Sequence, residues 1–316
     1  MNDYAIIILG GKMENSNLPQ FLIEMLNSQY EDEITQKILQ GYSIKRKTTF
    51  RVNTIKADIE SVKTELDKRE IKYQSVPWSK EAFILENVTE KDIEKLDIYK
   101  NGEIYLQSLS SMLPPIILNP QPDSDIFDMA AAPGGKTTQM AAITKNKAHI
   151  TACEMNTVRA EKLKFNVEKQ GANCVYIMKS DSRNIDNFFS FDTILLDSPC
   201  SGSGTLNVND EKVSKYFTEK LIEKSAKTQL SLLKKAINIL KPGHEMVYST
   251  CSILSKENEE IVQKVLREGK VEIVPIEFEG LESLPKLPVK ISETLCICPT
   301  ELYEGFFVAK LKKCKE

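Results

Sequence analysis

The stretch Ile126-Phe127-Asp128-Met129-Ala130-Ala131-Ala132-Pro133-Gly134-Gly135-Lys136-Thr137-Thr138 decides the fold. Its apolar opening predicts a short strand over Ile126–Ala130, its small residues a tight loop, and the residues behind them the start of a helix. Small residues after a first strand let the backbone approach a ligand closely, and the helix N-terminus favours negative charge. The pattern then repeats downstream. His149–Glu154, Cys174–Met178, Phe191–Asp197 and Met246–Ser249 read as the second to fifth strands. Between them Leu163 and Val167, then Leu230, Leu233, Ile237 and Leu240, recur at helical spacing, the last run closed by Pro242-Gly243. Strands alternating with helices predict βαβ units and a mostly parallel sheet. Val271–Ile276 and Gly305–Leu311 would bring it to seven strands.

Upstream the regime differs. Thr49-Phe50-Arg51-Val52-Asn53-Thr54 is extended, Ile59, Val62 and Leu66 are spaced as on a helix, and shorter extended pieces lie around Tyr73 and Phe83-Ile84-Leu85. This reads as a small α+β module, ended by the punctuation of Pro114-Pro115 and Asn119-Pro120-Gln121-Pro122. The predicted division is a loosely attached segment over 1–13, with Met13 as a candidate start, an α+β module over 14–110, and an α/β domain over 111–316. A length of 316 residues agrees with about two domains.

The 42 Lys and Arg against 45 Asp and Glu give a net charge of −3, so no global positive field draws in a polyanion. Any nucleic-acid binding must use a local patch. The apolar stretch Ala5–Gly11 is far short of the ~20 residues of a bilayer span and follows Asp3, so neither membrane nor secretion is expected. Seven cysteines, an odd number scattered along the chain, fit free thiols in a reducing, cytoplasmic setting.

The second strand ends in Glu154, 19 residues after Gly135, close to the spacing at which an acidic side chain meets ribose hydroxyls. That points to a nucleoside cofactor. The loop lacks G-x-G-x-x-G, and Lys136 is not in a G-x-x-x-x-G-K-[ST] setting, so NAD and ATP lose ground. The fourth strand leads into Asp197-Ser198-Pro199-Cys200-Ser201-Gly202-Ser203-Gly204 and the fifth into Ser249-Thr250-Cys251-Ser252. In a doubly wound sheet these ends share the ligand edge with the first loop. Either cysteine alone could be inert packing. Two of them with a carboxylate, at consecutive strand ends, predict chemistry. Metal is not expected, since 51 residues separate the cysteines, neither is in Cys-x-x-Cys, and both histidines, His149 and His244, lie elsewhere.

These three motifs together resemble the RNA cytosine-5 methyltransferases of the Nop/Sun type. The resemblance runs from about residue 48 to 311 and includes Phe50-Arg51-Val52-Asn53, the Gln107–Pro115 segment and Glu304-Gly305-Phe306-Phe307. It implies a class I methyltransferase, an α/β Rossmann-like seven-stranded mostly parallel sheet with a smaller N-terminal α+β domain. The chain departs from the pattern at Ser198, at Glu304, where Asp is usual, and at Ser108, where an acidic residue is common.

Carbon-5 of cytosine is a poor nucleophile, so methylation there needs a temporary bond at carbon-6, and a thiolate is suited to form it. Spacing does not say which cysteine attacks. The resemblance implies Cys251 as nucleophile, Cys200 as the partner that assists release, and Asp197 at ring nitrogen-3 or the exocyclic amine. It further implies S-adenosylmethionine as cofactor, with the loop Ala132, Pro133, Gly134, Gly135 and Lys136 on the methionine part, Glu154 on the ribose, Asp181 at the adenine, and Arg159 and Asp197 close by. Lys45-Arg46-Lys47 with Arg51 is the clearest basic cluster and is expected to meet RNA phosphates. The target base must be unstacked. The expected substrate is rRNA ahead of tRNA, bound by a monomer. About five residues follow Leu311 and no helical bundle is expected before residue 48, so no appended domain is expected to choose the RNA. The competing readings are an RNA-binding ribosome-assembly factor with incidental methylation, and a DNA cytosine-5 methyltransferase.

Overall fold

The computed structural model describes residues 4–9 and 12–315. In chain order the elements are β1 (Tyr4–Leu9), β2 (Lys12–Pro19), α1 (Gln20–Gln29), α2 (Asp32–Ser43), β3 (Thr49–Val52), α3 (Ile59–Lys68), β4 (Tyr73–Val76), β5 (Ser79–Leu85), α4 (Glu90–Ile93), α5 (Asp97–Lys100), β6 (Ile104–Leu106), α6 (Leu109–Leu118), β7 (Asp125–Asp128) and α7 (Gly135–Ile143). There follow β8 (His149–Cys153), α8 (Thr157–Gln170), β9 (Val175–Met178), β10 (Phe191–Asp197), α9 (Val213–Tyr216), α10 (Glu219–Ile239), β11 (Leu240–Thr250), α11 (Glu259–Leu266), β12 (Val271–Val274), β13 (Leu295–Ile297) and β14 (Phe306–Lys313).

The large sheet has the order β12-β14-β11-β10-β7-β8-β9, which contains all seven expected strands. Strands β7 to β11 run parallel, and β14 enters antiparallel to β11. An eighth strand, β13, pairs with β14 off this path. Three residues are too few for a periodic signal, so Leu295–Ile297 was not expected. The register matters for function: Leu195 lies beside Asp128 and Asp197 beside Ser249, so the motif-bearing ends of β7, β10 and β11 finish level.

Side chains alternate across this sheet as strand geometry requires. Phe127, Ile194, Leu196 and Met246 face one layer with residues of α10 and α11, while Ile126, Leu195 and Val247 face the other with residues of α6, α7 and α8. The first layer also takes Leu22 and Leu26 of α1 and Ile38, Leu39 and Tyr42 of α2. The helical pair α1 and α2, inside the module expected over 14–110, thus packs into this layer, and the sheet of that module lies within about 49–106. That module is an antiparallel sheet, β4-β5-β3-β6, with its own core of Phe50, Val62, Leu66, Phe83 and Ile104. Within the segment expected to be loosely attached, β1 pairs antiparallel with β2; Met1–Asp3, Gly10 and Gly11 lie outside the described residues.

Pro114-Pro115, read as a chain break, lies inside α6. At the second proline the lost donor is replaced. Pro115 cannot donate to the Ser111 carbonyl one turn back, and the Gln107 side-chain amide donates there at 3.0 Å instead. Among the described residues no helix is long and apolar enough to cross a membrane.

Candidate active site

Cys251 follows β11 directly, and Cys200 stands three residues beyond β10. Because those strands pair in register, the two sulfurs meet at 2.8 Å, within hydrogen-bond distance. Further bonds tie the loops. Ser198 N–H donates to the Ser249 carbonyl at 2.8 Å, and Gly204 N–H donates to the Cys251 carbonyl at 2.9 Å. The hydrogen bond with Cys251 and then burial hold the Cys200 thiol well above the usual range. Cys251 lines a cavity of about 480 Å³, and Cys200 is not among the lining residues.

The same cavity is walled by Asp128, Ala130–Pro133, Gly135, Lys136 and Asp197. Gly134 caps α7 at φ 109, a left-handed conformation that side chains resist, and no side chain caps that end. The first amides of α7 are thus open to an acceptor. Lys136 Nζ reaches Asp197 Oδ2 at 2.7 Å and donates to Ser111 Oγ at 2.8 Å, while Ser249 Oγ donates to Asp197 Oδ1 at 2.8 Å. One lysine therefore joins the loop to the carboxylate beside the cysteines.

Asp128, quoted above only within the first strand, is a cavity residue that the sequence alone does not single out. It is buried, accepts a bond from Thr137 Oγ1 at 2.7 Å, and burial pushes its carboxyl up to about 7. The folded chain thus binds a proton that the unfolded chain has released. That contribution is complete below the ordinary value of 3.8 and is lost as pH rises towards about 7. Urea unfolding of the ligand-free protein between pH 5 and 8 should show stability falling by up to about 1.4 kcal/mol per pH unit across this window, and Asp128→Asn should flatten the fall. A slope unchanged by the substitution would remove Asp128 as its source.

Other expected residues stand apart from the cavity lining. Glu154, at the end of β8, is buried, accepts from Asn156 N–H at 2.8 Å and meets Arg159 at 3.4 Å. Arg159 also donates to the Ala132 carbonyl at 2.8 Å, so it links the acidic residue to the loop. Asp181, beyond β9, is held by Arg183, whose guanidinium keeps its carboxyl below the usual range.

The basic cluster divides. Arg46 and Lys47 line the cavity, and Lys45 lines the neighbouring cleft that both also border. Arg51 is a correction, because it is only 3% exposed. It donates to Gln107 Oε1 at 2.9 Å, Thr138 Oγ1 at 2.8 Å and the Gly135 carbonyl at 3.2 Å, joining β3 to the first turn of α7. A strand side chain points to one face or the other, and this one faces inward, away from phosphate. Two departures from the family pattern also meet: Ser108 Oγ donates to Glu304 Oε2 at 2.7 Å, and Glu304 lies 4.0 Å from Arg46. Among the described residues no cluster could hold a metal ion.

Residues 115–312 match the family described as 16S rRNA methyltransferase RsmB/F, and residues 18–91 match an RsmF/B-like ferredoxin-like domain. Ribosomal RNA small subunit methyltransferase F of Shewanella loihica is 33% identical over 309 residues, a span covering 94% of this chain and 63% of that protein. The chain spans about six-tenths of the length of the curated relatives it matches. A methyltransferase homolog from Pyrococcus horikoshii superposes with a TM-score of 0.79 at 31% identity, covering 94% of this chain and 100% of that one. NSun6 from Pyrococcus horikoshii, crystallised with SFG, has the same fold, with a TM-score of 0.84 at 23% identity over 95% of this chain and 100% of that one.

Proposed function

Since the chain belongs to the RsmB/F family of 16S rRNA methyltransferases, we propose that it transfers a methyl group from S-adenosylmethionine to carbon-5 of a cytosine in RNA, small-subunit rRNA ahead of tRNA. The observation that carries this reading is a single cavity bounded by the cofactor-type loop on one side and by Asp197 and Cys251 on the other.

The residues present fit the cofactor. Its amino group and sulfonium are cationic, and Asp128 and Asp197 supply acidic walls; its carboxylate suits Lys136 and the uncapped start of α7. Glu154 is kept for the ribose and Asp181 for the adenine. Bound there, S-adenosylmethionine supplies an electrophilic methyl group.

The chain's own residues do the rest. The Cys251 sulfur adds to carbon-6, which makes carbon-5 nucleophilic. Asp197, an acceptor fixed by Ser249 and Lys136, takes a hydrogen bond from the exocyclic amine, where uracil would offer only an acceptor. Once the Cys251 sulfur is bonded to carbon, the Cys200 thiol gives up its proton to solvent. Cys200 then serves as base for the carbon-5 proton as the Cys251–carbon bond breaks.

Labelled methyl transfer to a small-subunit rRNA transcript, a tRNA transcript and a DNA of the same sequence tests this reading. Label in RNA at cytosine carbon-5, and none in DNA, is the expected result. Changing Lys45, Arg46 and Lys47 together to Ala should weaken transcript binding about tenfold or more at low salt and flatten its salt dependence. An unchanged salt slope would exclude this cluster from phosphate contact.

A further inference from the structure

Beneath the two cysteines lies a carboxylate that the chemistry above does not use. Glu257, in the short turn Ser255–Glu257 after β11, is fully buried. Its Oε1 accepts from Ser201 N–H at 2.8 Å and from Gln229 Nε2 at 3.2 Å. Its Oε2 accepts from Ser201 Oγ at 2.5 Å and Ser252 Oγ at 2.7 Å. Ser201 follows Cys200 in the chain, and Ser252 follows Cys251. Gln229 extends the grip by donating to the Pro199 carbonyl, immediately before Cys200, at 3.1 Å. The backbone of Glu257 is fixed in turn, since the Tyr248 hydroxyl donates to its carbonyl at 2.6 Å.

Four hydrogen bonds converge on the two oxygens of this one carboxyl. Among the described residues no Lys, Arg or His forms an ion pair with Glu257, so these hydrogen bonds carry its desolvation. A buried charge is a costly way to fill a core. Here Oε2 is shared between the two cysteine loops, through Ser201 and Ser252, while Oε1 is held from the Cys200 side alone, by Ser201 and Gln229.

We infer that Glu257 is a positioning residue that sets the spacing of Cys200 from Cys251, holding the release thiol where the nucleophile's adduct will form. The inference rests on the two-cysteine reading above. It assigns Ser201 to the release side and Ser252 to the attack side of one clamp, so the two serines should have different kinetic effects although they bind the same carboxylate.

Two transcripts separate those effects. On a small-subunit rRNA transcript carrying 5-fluorocytidine, carbon-5 has no removable proton and attack alone is read as a trapped adduct on a denaturing gel. On the ordinary transcript an adduct accumulates only where release is slow. Ser252→Ala should slow trapping on the fluorinated transcript about tenfold without building adduct on the ordinary one. Ser201→Ala should trap at near the parent rate yet build adduct on the ordinary transcript. Glu257→Ala should show both defects, with turnover down about a hundredfold, and Glu257→Gln, which keeps one acceptor oxygen, should recover part of the loss. If the two serine variants change both readouts in the same proportion, or change neither, the clamp is overturned; this holds even where Glu257→Ala does not fold. If Cys200→Ala itself builds no adduct on the ordinary transcript, the two-cysteine reading fails instead.

Discussion

Cys251→Ala should lower methyl transfer by at least about 10⁴-fold and form no protein–RNA adduct, because removing a nucleophile removes the covalent route entirely. Cys200→Ala should also stop turnover, by the opposite route: attack proceeds, release stalls, and the adduct survives on a denaturing gel. The difference follows from placement. Cys251 lines the cavity, and its partner sulfur lies 2.8 Å away, outside the lining. Adduct formed by Cys251→Ala but not by Cys200→Ala would exchange the two roles.

Gly204→Ala should be the most damaging conservative change near the site. A Cβ there would stand 1.9 Å from the Gly305 carbonyl oxygen and 2.8 Å from its Cα. Both are backbone atoms, so the loop or the start of β14 must move. Movement strains two bonds, Gly204 N–H to the Cys251 carbonyl and Gly305 N–H to the Gly204 carbonyl at 2.8 Å. Overpacking with two weakened buried hydrogen bonds amounts to about 3–5 kcal/mol. Gly202→Ala is the internal comparison: that residue sits at φ 80 but meets nothing nearer than Thr205 Oγ1 at 3.4 Å, so only backbone strain of about 1 kcal/mol applies. Denaturant midpoints for the two variants decide the matter. Equal losses would show that the approach of the two glycine backbones imposes no constraint.

Much of this was readable before any coordinates. The seven strands, the glycine loop and the two cysteine motifs announce themselves because each depends on neighbours in sequence. What escaped depends on partners far along the chain. Asp128 ends a strand like many acidic residues, and its carboxyl is raised by burial beneath the cavity and then by the charge of Asp197. Glu257 lies in an unremarked polar stretch, and its meaning comes from Ser201, 56 residues earlier. Arg51 reads as one more positive charge near Lys45-Arg46-Lys47 until the sheet turns it inward. Helices α1 and α2 lie in sequence beside the small module, whereas their apolar faces complete the distant sheet. Glu154 and Asp181 keep the strand-end positions expected of them, although each is already bonded to an arginine.

The inward turn of Arg51 has a consequence for energetics. One guanidinium bridges the small module's sheet and the first turn of α7, so a ligand that shifts either body changes the free energy of the other. Linkage makes such an effect reciprocal: whatever factor polynucleotide occupancy adds to methyl-donor affinity, donor occupancy returns to the polynucleotide. The order in which the two arrive is then a matter of rates alone, and the ternary complex has the same stability by either path.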